Sequence, residues 1–443
     1  MGKDGSGVVY SGKSTIFVTK MDYVRVTGEQ QISNVAIKPI LSTMIVTKKN
    51  QRLDVVDALR GFALLAIVML HSIEHYNLFF IPKWQPDWLT TLDQYTMETV
   101  WFLFAGKAYA TFSLLFGFSF YIQMRNARRR GDDFRLRFAW RMLLLACFAQ
   151  LHALFYNGDI LLFYAFCGLL IIPASSWSNR TLLIVAGVLL CQPIDWIHLL
   201  TAHFNPAYID TNSHFLIYAK DAERIAAHGN LWEMMVNNIG NGQLYSNTWQ
   251  VEAGRICQTP ALFMLGMWLG RTEKFVCNAA NKRFWQRVFV TALVAFAIIF
   301  TIKVNVAPML THKTWISHFS LALGMPVNFT IMAMLVSMFI LCWFHANNRG
   351  YRFQRMTIPY GRMSLTNYIT QSIIGVAVFY HFGLGLYQYC GPTLSMLIGF
   401  VIFGIQLMWS RAWLSSHRQG PLEWVWKKLT WLPGAKQAQA TAS

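Results

Sequence analysis

Charge is scarce in this chain. Only 13% of its 443 residues are Asp, Glu, Lys or Arg, against 55% apolar and 15% aromatic. Soluble globular domains carry about a quarter charged residues, so this composition excludes an ordinary soluble protein and fits a polytopic membrane protein. Acidic residues are the scarcer kind, with 20 Asp and Glu against 38 Lys and Arg. A basic surplus can mark a nucleic-acid binder. Here the basic residues cluster between apolar spans rather than along one face, so no nucleic-acid partner is expected. Cysteine offers no framework either: the seven are scattered and none forms a C-x-x-C pair, which argues against a disulfide scaffold or a zinc ribbon. The first 43 residues contain no apolar stretch of the kind a secretory signal needs. Residues 1–50 are expected to be a disordered or over-extended segment, with MIVTKKNQRLD from Met44 as a more natural start. No internal repeat is visible, and the low-complexity tail is confined to KQAQATAS.

What the chain does have is long apolar runs. Ten can be read, at about 57–78, 103–124, 138–156, 160–174, 181–200, 256–270, 288–306, 320–344, 363–382 and 393–413, several of them short for the ~20 residues a crossing needs. The expected fold is therefore all-α, a polytopic bundle of about ten transmembrane helices over residues 51–415. If the N-terminus lies inside, 31 of the 38 Lys and Arg fall in inner segments. The positive-inside rule then puts both termini in the cytoplasm. A longer outer segment, 201–255, is expected to hold an amphipathic surface helix around 215–238, and residues 416–443 a cytoplasmic amphipathic tail with Trp424, Trp426, Lys427 and Lys428 at the interface. Helical spans favour a bacterial inner membrane over an outer one, where barrels are usual.

Ionisable residues inside apolar spans are costly and so mark candidate sites. Arg60 and His71 stand 11 residues apart in DALRGFALLAIVMLH, on nearly one face and about 16 Å apart along the axis. A neutral imidazole at His71 suits a general base; the plainer alternative is a snorkelling Arg60 paired with Asp57 and a hydrogen-bonded packing histidine. The run His71-Ser-Ile-Glu74-His75 matches H-x-x-E-H, but two ligands do not make a site and no metal is expected. Arg135, Arg137 and Arg141 open the third span; Arg137 and Arg141 share a face, and guanidinium forks suit phosphates. Arg125, Arg128, Arg129 and Arg130 read as a loop touching anionic lipid. His152, Asn157 and Asp159 form the third cluster, in which Asp159 could orient His152 or simply build a polar turn. Lys107 is expected to snorkel outward, and Asn367 and Gln371, one turn apart, to bond between helices.

Five motifs together resemble the YeiB family, which carries domain of unknown function 418: RLDVVDALRGFALLAIVML at 52–70, GKAYATFSLLFGFSFYIQMRNARRRG at 106–131, RMLLLACFAQLHALFYNGDILLFYAFCGLL at 141–170, GRMSLTNYITQS at 361–372 and GPLEWVWKKLT at 420–430. That family is similar, more distantly, to the acyltransferase-3 proteins and the heparan-glucosaminide acetyltransferases. The resemblance implies a bundle of about ten helices. An acyl-coenzyme A (acyl-CoA) donor would enter from the cytoplasm, and the acceptor would bear a hydroxyl or amine. In acyltransferase-3 proteins the first helix carries Arg-Gly and then a histidine at similar spacing. Many YeiB-like proteins have Asn where this chain has His71, so it departs there from its nearer relatives.

On this reading Arg60, Arg137 and Arg141 bind the coenzyme A (CoA) phosphates, His71 acts as base, and His152 and Asp159 lie by the acceptor. The acceptor and the surrounding lipids are then the partners. The leading expectation is an integral membrane acyltransferase. The alternatives are a transporter or flippase of a small polar or lipid-linked compound, against which the lack of an inverted repeat counts, and a non-catalytic scaffold.

Overall fold

The computed structural model describes residues 53–431; the expectations for residues 1–50 and for the chain after Trp431 lie outside them. Among the described residues the secondary structure is helical, with no strand. In chain order the α-helices are α1 (Asp54–His71), α2 (Asp87–Phe104), α3 (Ala108–Arg128), α4 (Arg135–Ala153), α5 (Leu161–Leu170), α6 (Asn179–Leu190), α7 (Pro193–Phe204), α8 (Ala222–His228), α9 (Leu231–Asn237), α10 (Gln243–Glu252), α11 (Arg255–Arg271), α12 (Ala279–Val306), α13 (Lys313–His345), α14 (Arg352–Met356), α15 (Ile358–Arg362), α16 (Ser364–Phe379), α17 (Pro392–Ser416) and α18 (Pro421–Trp431).

Each of the ten apolar runs lies on helix. Five stretches are long and apolar enough to cross a membrane, Asp54–Glu74, Asp87–Arg128, Ala279–Met309, Lys313–His345 and Pro392–Ser416, and a sixth if α6 and α7 count as one. That pair, read as one span from the sequence, bends by 46°. Gln192 there takes a left-handed backbone (φ 55°) and Pro193 starts the next helix, so the i→i−4 ladder is interrupted. Helix α2, absent from the ten runs, is amphipathic and hidden by Asp87, Asp93 and Glu98 in its sequence. The surface helix expected at 215–238 is instead a 3₁₀ turn (His214–Tyr218), α8 and α9. Gly229 is extended and Asn230 caps α9 through Glu233 N–H, a start signal that cuts any longer helix.

Burial divides the helices into an inner and an outer set. α1 is mostly buried, whereas only 6% of the apolar window of α12 is covered. Val290, Val294, Ile298 and Ile302 of α12 point outward. Such a helix is stable only where the surrounding medium is itself apolar. Close crossings hold the inner set: a Cβ on Gly117 of α3 would overlap the Phe263 carbonyl of α11, and one on Gly266 would overlap the Leu114 carbonyl. Asn367 donates to Ser410 Oγ on α17 (2.9 Å), an interhelical bond of the expected kind. Lys107 does not snorkel; it is 5% exposed, with its ammonium 5.7 Å from the Phe102 ring centre.

The basic residues gather at one end of the bundle. Arg125 pairs with Glu273 (3.3 Å), Arg128 and Arg271 both donate to the Ser175 carbonyl, and Arg362 donates to the Arg418 carbonyl. At this end α18 packs across the bundle. Its Glu423 accepts from Leu365 N–H (2.7 Å), Thr366 N–H (3.2 Å) and Thr366 Oγ (2.6 Å), so a carboxylate from another helix caps the N-terminus of α16. Burial holds the Glu423 carboxyl above its ordinary 4.5. The protonated form is therefore favoured on folding, and this contribution is lost as pH rises above about 4.5. Glu423→Gln keeps an acceptor oxygen and should flatten the pH dependence of the melting temperature above the ordinary carboxyl range. Glu423→Ala should cost about 1–3 kcal/mol, since it strands two buried N–H groups. Thermal melts of both variants across pH check this.

Candidate active site

The end of α1 and the hairpin of α4 and α5 converge on one buried polar cluster. α1 leaves the α-helical path at Ser72–Tyr76, a π turn of the kind often found at functional sites. It follows His71 and carries Tyr76 inward, fully buried. α4 ends at Ala153, and the Asn157-Gly158-Asp159 turn leads into α5. Asp159 Oδ2 accepts from Leu162 N–H (3.2 Å) at the start of α5. Its other oxygen, Oδ1, meets His152 Nδ1 at 2.7 Å.

The imidazole of His152 is 0% exposed, and its Nε2 lies 2.8 Å from Ser372 Oγ on α16. The carboxylate fixes the tautomer. Nδ1–H donates to Asp159, so Nε2 is the acceptor and Ser372 donates to it. Tyr76 donates to the same Ser372 oxygen (3.3 Å). Asp159, His152 and Ser372 thus stand in the order of a hydrolase triad, recognised by geometry and not by sequence position.

His71 belongs to the same cluster. Its ring centre lies 4.9 Å from that of Tyr156, which is 5.2 Å from His152, and Tyr368 flanks both histidines. Gln371 Nε2 donates to His71 Nδ1 (3.2 Å), so in the neutral ring Nε2 carries the proton. Gln371 Oε1 has no hydrogen-bond partner although it is buried.

The structure brings His71, His152 and Asp159 together. It does not place the arginines beside them. Arg60 pairs with Asp57 (2.8 Å) and donates to Ser119 on α3. Arg137 and Arg141 share a face but are held by α18: Trp431 lies over the Arg137 guanidinium (4.4 Å) and Trp426 over that of Arg141 (3.5 Å), with bonds from Arg137 to the Thr430 carbonyl and from Arg141 to Thr430 Oγ. The H-x-x-E-H run falls on the π turn, and the side chain of His75 lies outside the described residues.

Sequence reasoning missed Ser372, Tyr76 and Arg255. Ser372 closes the GRMSLTNYITQS motif but has no signal of its own. Arg255 follows a left-handed Gly254 at the start of α11. It lies between Tyr109 (4.0 Å) and Trp249 (4.1 Å), donates to Gln250 Oε1 (2.8 Å), and stands within electrostatic reach of Glu74. An arginine beside an outer-segment tryptophan could have been flagged as an intramembrane cation.

A bundle with long apolar helices and an outward apolar surface is the build of an integral membrane protein, and similarity to known proteins adds an acyltransferase-like part. Residues 52–212, which hold His71, His152 and Asp159, match the catalytic domain of heparan-alpha-glucosaminide N-acetyltransferase. Residues 269–433 match the family described as protein of unknown function (DUF418). The chain is homologous to the uncharacterized protein YxaH of Bacillus subtilis (strain 168), 25% identical over 90% of this chain and 100% of that protein. It is likewise homologous to the uncharacterized protein YeiB of Escherichia coli (strain K12), 26% identical over 84% of this chain and 95% of YeiB. An uncharacterized 39.9 kDa protein from the amylase 3' region of Bacillus acidopullulyticus is 25% identical over 86% of this chain and 94% of its own length. The resemblance drawn from the five motifs is thereby established. No solved structure matches the chain.

Proposed function

We propose that this protein is a membrane-bound acyltransferase that moves an acyl group from cytoplasmic acyl-CoA to a hydroxyl- or amine-bearing acceptor. The observation that carries the reading is His152 held between Asp159 and Ser372 in the buried cluster it shares with His71. The acceptor hydroxyl gives its proton to Ser372 Oγ as Ser372 passes its own to His152 Nε2. The acceptor oxygen attacks the thioester carbon, the C–S bond breaks, and the CoA thiolate takes the proton from His152. His71, with Nε2–H as donor, faces the charge that develops on the thioester oxygen. This gives His71 the part of a donor and His152 that of the base. Holding thioester and acceptor in line supplies much of the rate.

Other features fit. An apolar cavity of about 390 Å³ lies between α4, α5, α10 and the start of α11, lined by Met142, Ala146, Phe163, Phe166, Val251 and Ile256, where an acyl chain or lipid-like acceptor could lie. Arg137 and Arg141 would take the CoA phosphates once α18 yields, together with Arg60 on exchange from Asp57 and Ser119. The basic end would be cytoplasmic, with about ten crossings in a bacterial inner membrane, by the positive-inside rule. Thiol release from acyl-CoA by the purified, lipid-reconstituted protein tests the reading. CoA-dependent thermal shift and thiol release with an added hydroxyl or amine acceptor are expected. A folded sample that neither shifts nor releases thiol with short- or long-chain acyl-CoA would overturn it.

A further inference from the structure

A second polar cluster lies apart from the acyl-transfer site, where α7, the loop after it and the start of α13 meet. His198 is on α7, Asp210 in the following loop and His318 on α13. One ligand atom from each comes within 4.8 Å of the other two. They line a cavity of about 130 Å³ together with Asp195 and Gln192. We propose that His198, Asp210 and His318 bind a divalent first-row transition metal ion, with zinc the best fit.

The argument starts at His318, which is 2% exposed. Its Nδ1 lies 2.8 Å from Asp195 Oδ1, with the Asn212 amide farther off at 3.4 Å. The carboxylate requires Nδ1 to be the protonated nitrogen, so Nε2 presents a lone pair. That Nε2 is buried without a hydrogen-bond partner, and it faces Asp210 Oδ1 at 4.0 Å. A metal ion held between this lone pair and the facing carboxylate oxygen would satisfy both. A carboxylate on the distal nitrogen of a histidine is also the usual support of a metal ligand, fixing its tautomer and raising its basicity.

His198 completes the set. Its ring stacks on that of His318, with centres 4.2 Å apart and planes 7° from parallel. Its Nδ1 lies 2.7 Å from Tyr208 OH and 3.3 Å from Asp210 Oδ2. The Asp210 loop is pinned by Thr314, which accepts from Asp210 N–H (2.9 Å) and donates to the Tyr208 carbonyl (3.2 Å). Two imidazoles and a carboxylate are a zinc donor set with a fourth position open. Zinc–ligand bonds of ~2.0–2.2 Å put ligand atoms ~3.3 Å apart, so binding requires the three groups to close in and one imidazole to tilt out of the stack until both ring lone pairs meet the ion. Gln192, which lines the same cavity, supplies a second sign of a ligand: it is 0% exposed and both polar atoms of its side-chain amide lack partners.

The test uses tag-free full-length protein in detergent, stripped with chelator and titrated with Zn²⁺ against a chromogenic competitor, and separately with Co²⁺ for its visible absorption. One equivalent per chain is expected in the wild type. His198→Gln and Asp210→Asn should each lose at least tenfold in affinity. Asp195→Asn, which touches the ligand and not the metal, should lose about 10–100-fold. His203→Ala, on the exposed side of α7, should leave binding unchanged. No binding by folded wild type, full affinity in folded His198→Gln and Asp210→Asn, or an equal loss in His203→Ala would each overturn the proposal. The readout is the metal alone and does not depend on the acyl-transfer reading.

Discussion

His152→Ala is expected to lower acyl transfer by about 10²–10⁴-fold, the usual worth of a positioned general base, with little change in acyl-CoA binding. The ring touches Ser372 and Asp159 and nothing of the basic end, so the loss should fall on kcat. Asp159→Asn should fall in the same range for a different reason. An amide in place of the carboxylate can donate to Nδ1, which moves the proton to Nε2 and leaves no acceptor for Ser372. Ser372→Ala tests the relay. If the serine carries the proton, activity drops; if the acceptor reaches His152 directly, Ser372→Ala retains most of it. Loss in Asp159→Asn with full activity in His152→Ala would mean that the pair only braces the turn between α4 and α5. Initial rates and KM for each variant, beside a melting curve to show folding, separate these outcomes.

Gly61→Val should be the most damaging change to stability. A Cβ on Gly61 would overlap the carbonyl and the Cβ of Thr357, and a Cβ on Gly361 would overlap the Asp57 carbonyl and Gly61 N. The two glycines face each other where α1 crosses α15, and backbone lines both sides, so no flexible side chain can yield. Thr357 Oγ donates to the Ala58 carbonyl (2.9 Å) across the same crossing, a bond any separation breaks. Overpacking a rigid core costs about 1–3 kcal/mol, and loss of the buried hydrogen bond adds about 1 kcal/mol more. A fall in melting temperature for Gly61→Val, and a smaller one for Gly61→Ala, would be the signature. A wild-type melt for Gly61→Val would show that the crossing is loose. The glycine of the Arg-Gly pair is thus a packing residue, distinct in role from the arginine beside it.

Periodicity and hydropathy sufficed for most of the helices because a span in lipid must satisfy its own backbone hydrogen bonds and show an apolar surface, and both demands are local. They failed for α2, whose acidic residues break the apolar run, and at Gln192, where a left-handed residue before proline bends one apparent span into two. For the site, His152 and Asp159 could be paired from sequence because seven residues and a Gly-Asp turn bring them back on themselves. His71 stood out as an ionisable group in an apolar helix. Ser372 could not be found, since a serine in a membrane helix costs little and is common.

The sequence by itself therefore determined the class of protein, its all-helical build, the course of most of the apolar helices, and the basic segments between them. Those properties follow from composition and from near-neighbour chemistry along the chain. Tertiary structure alone decided which polar groups meet. It set His152 against a serine 220 positions away, turned His71 toward Gln371, and placed α18 over Arg137 and Arg141. It also joined His198 and Asp210 to His318, more than a hundred positions on. Such encounters depend on helix crossings fixed by small residues and on the bends between helices, and no local pattern encodes them.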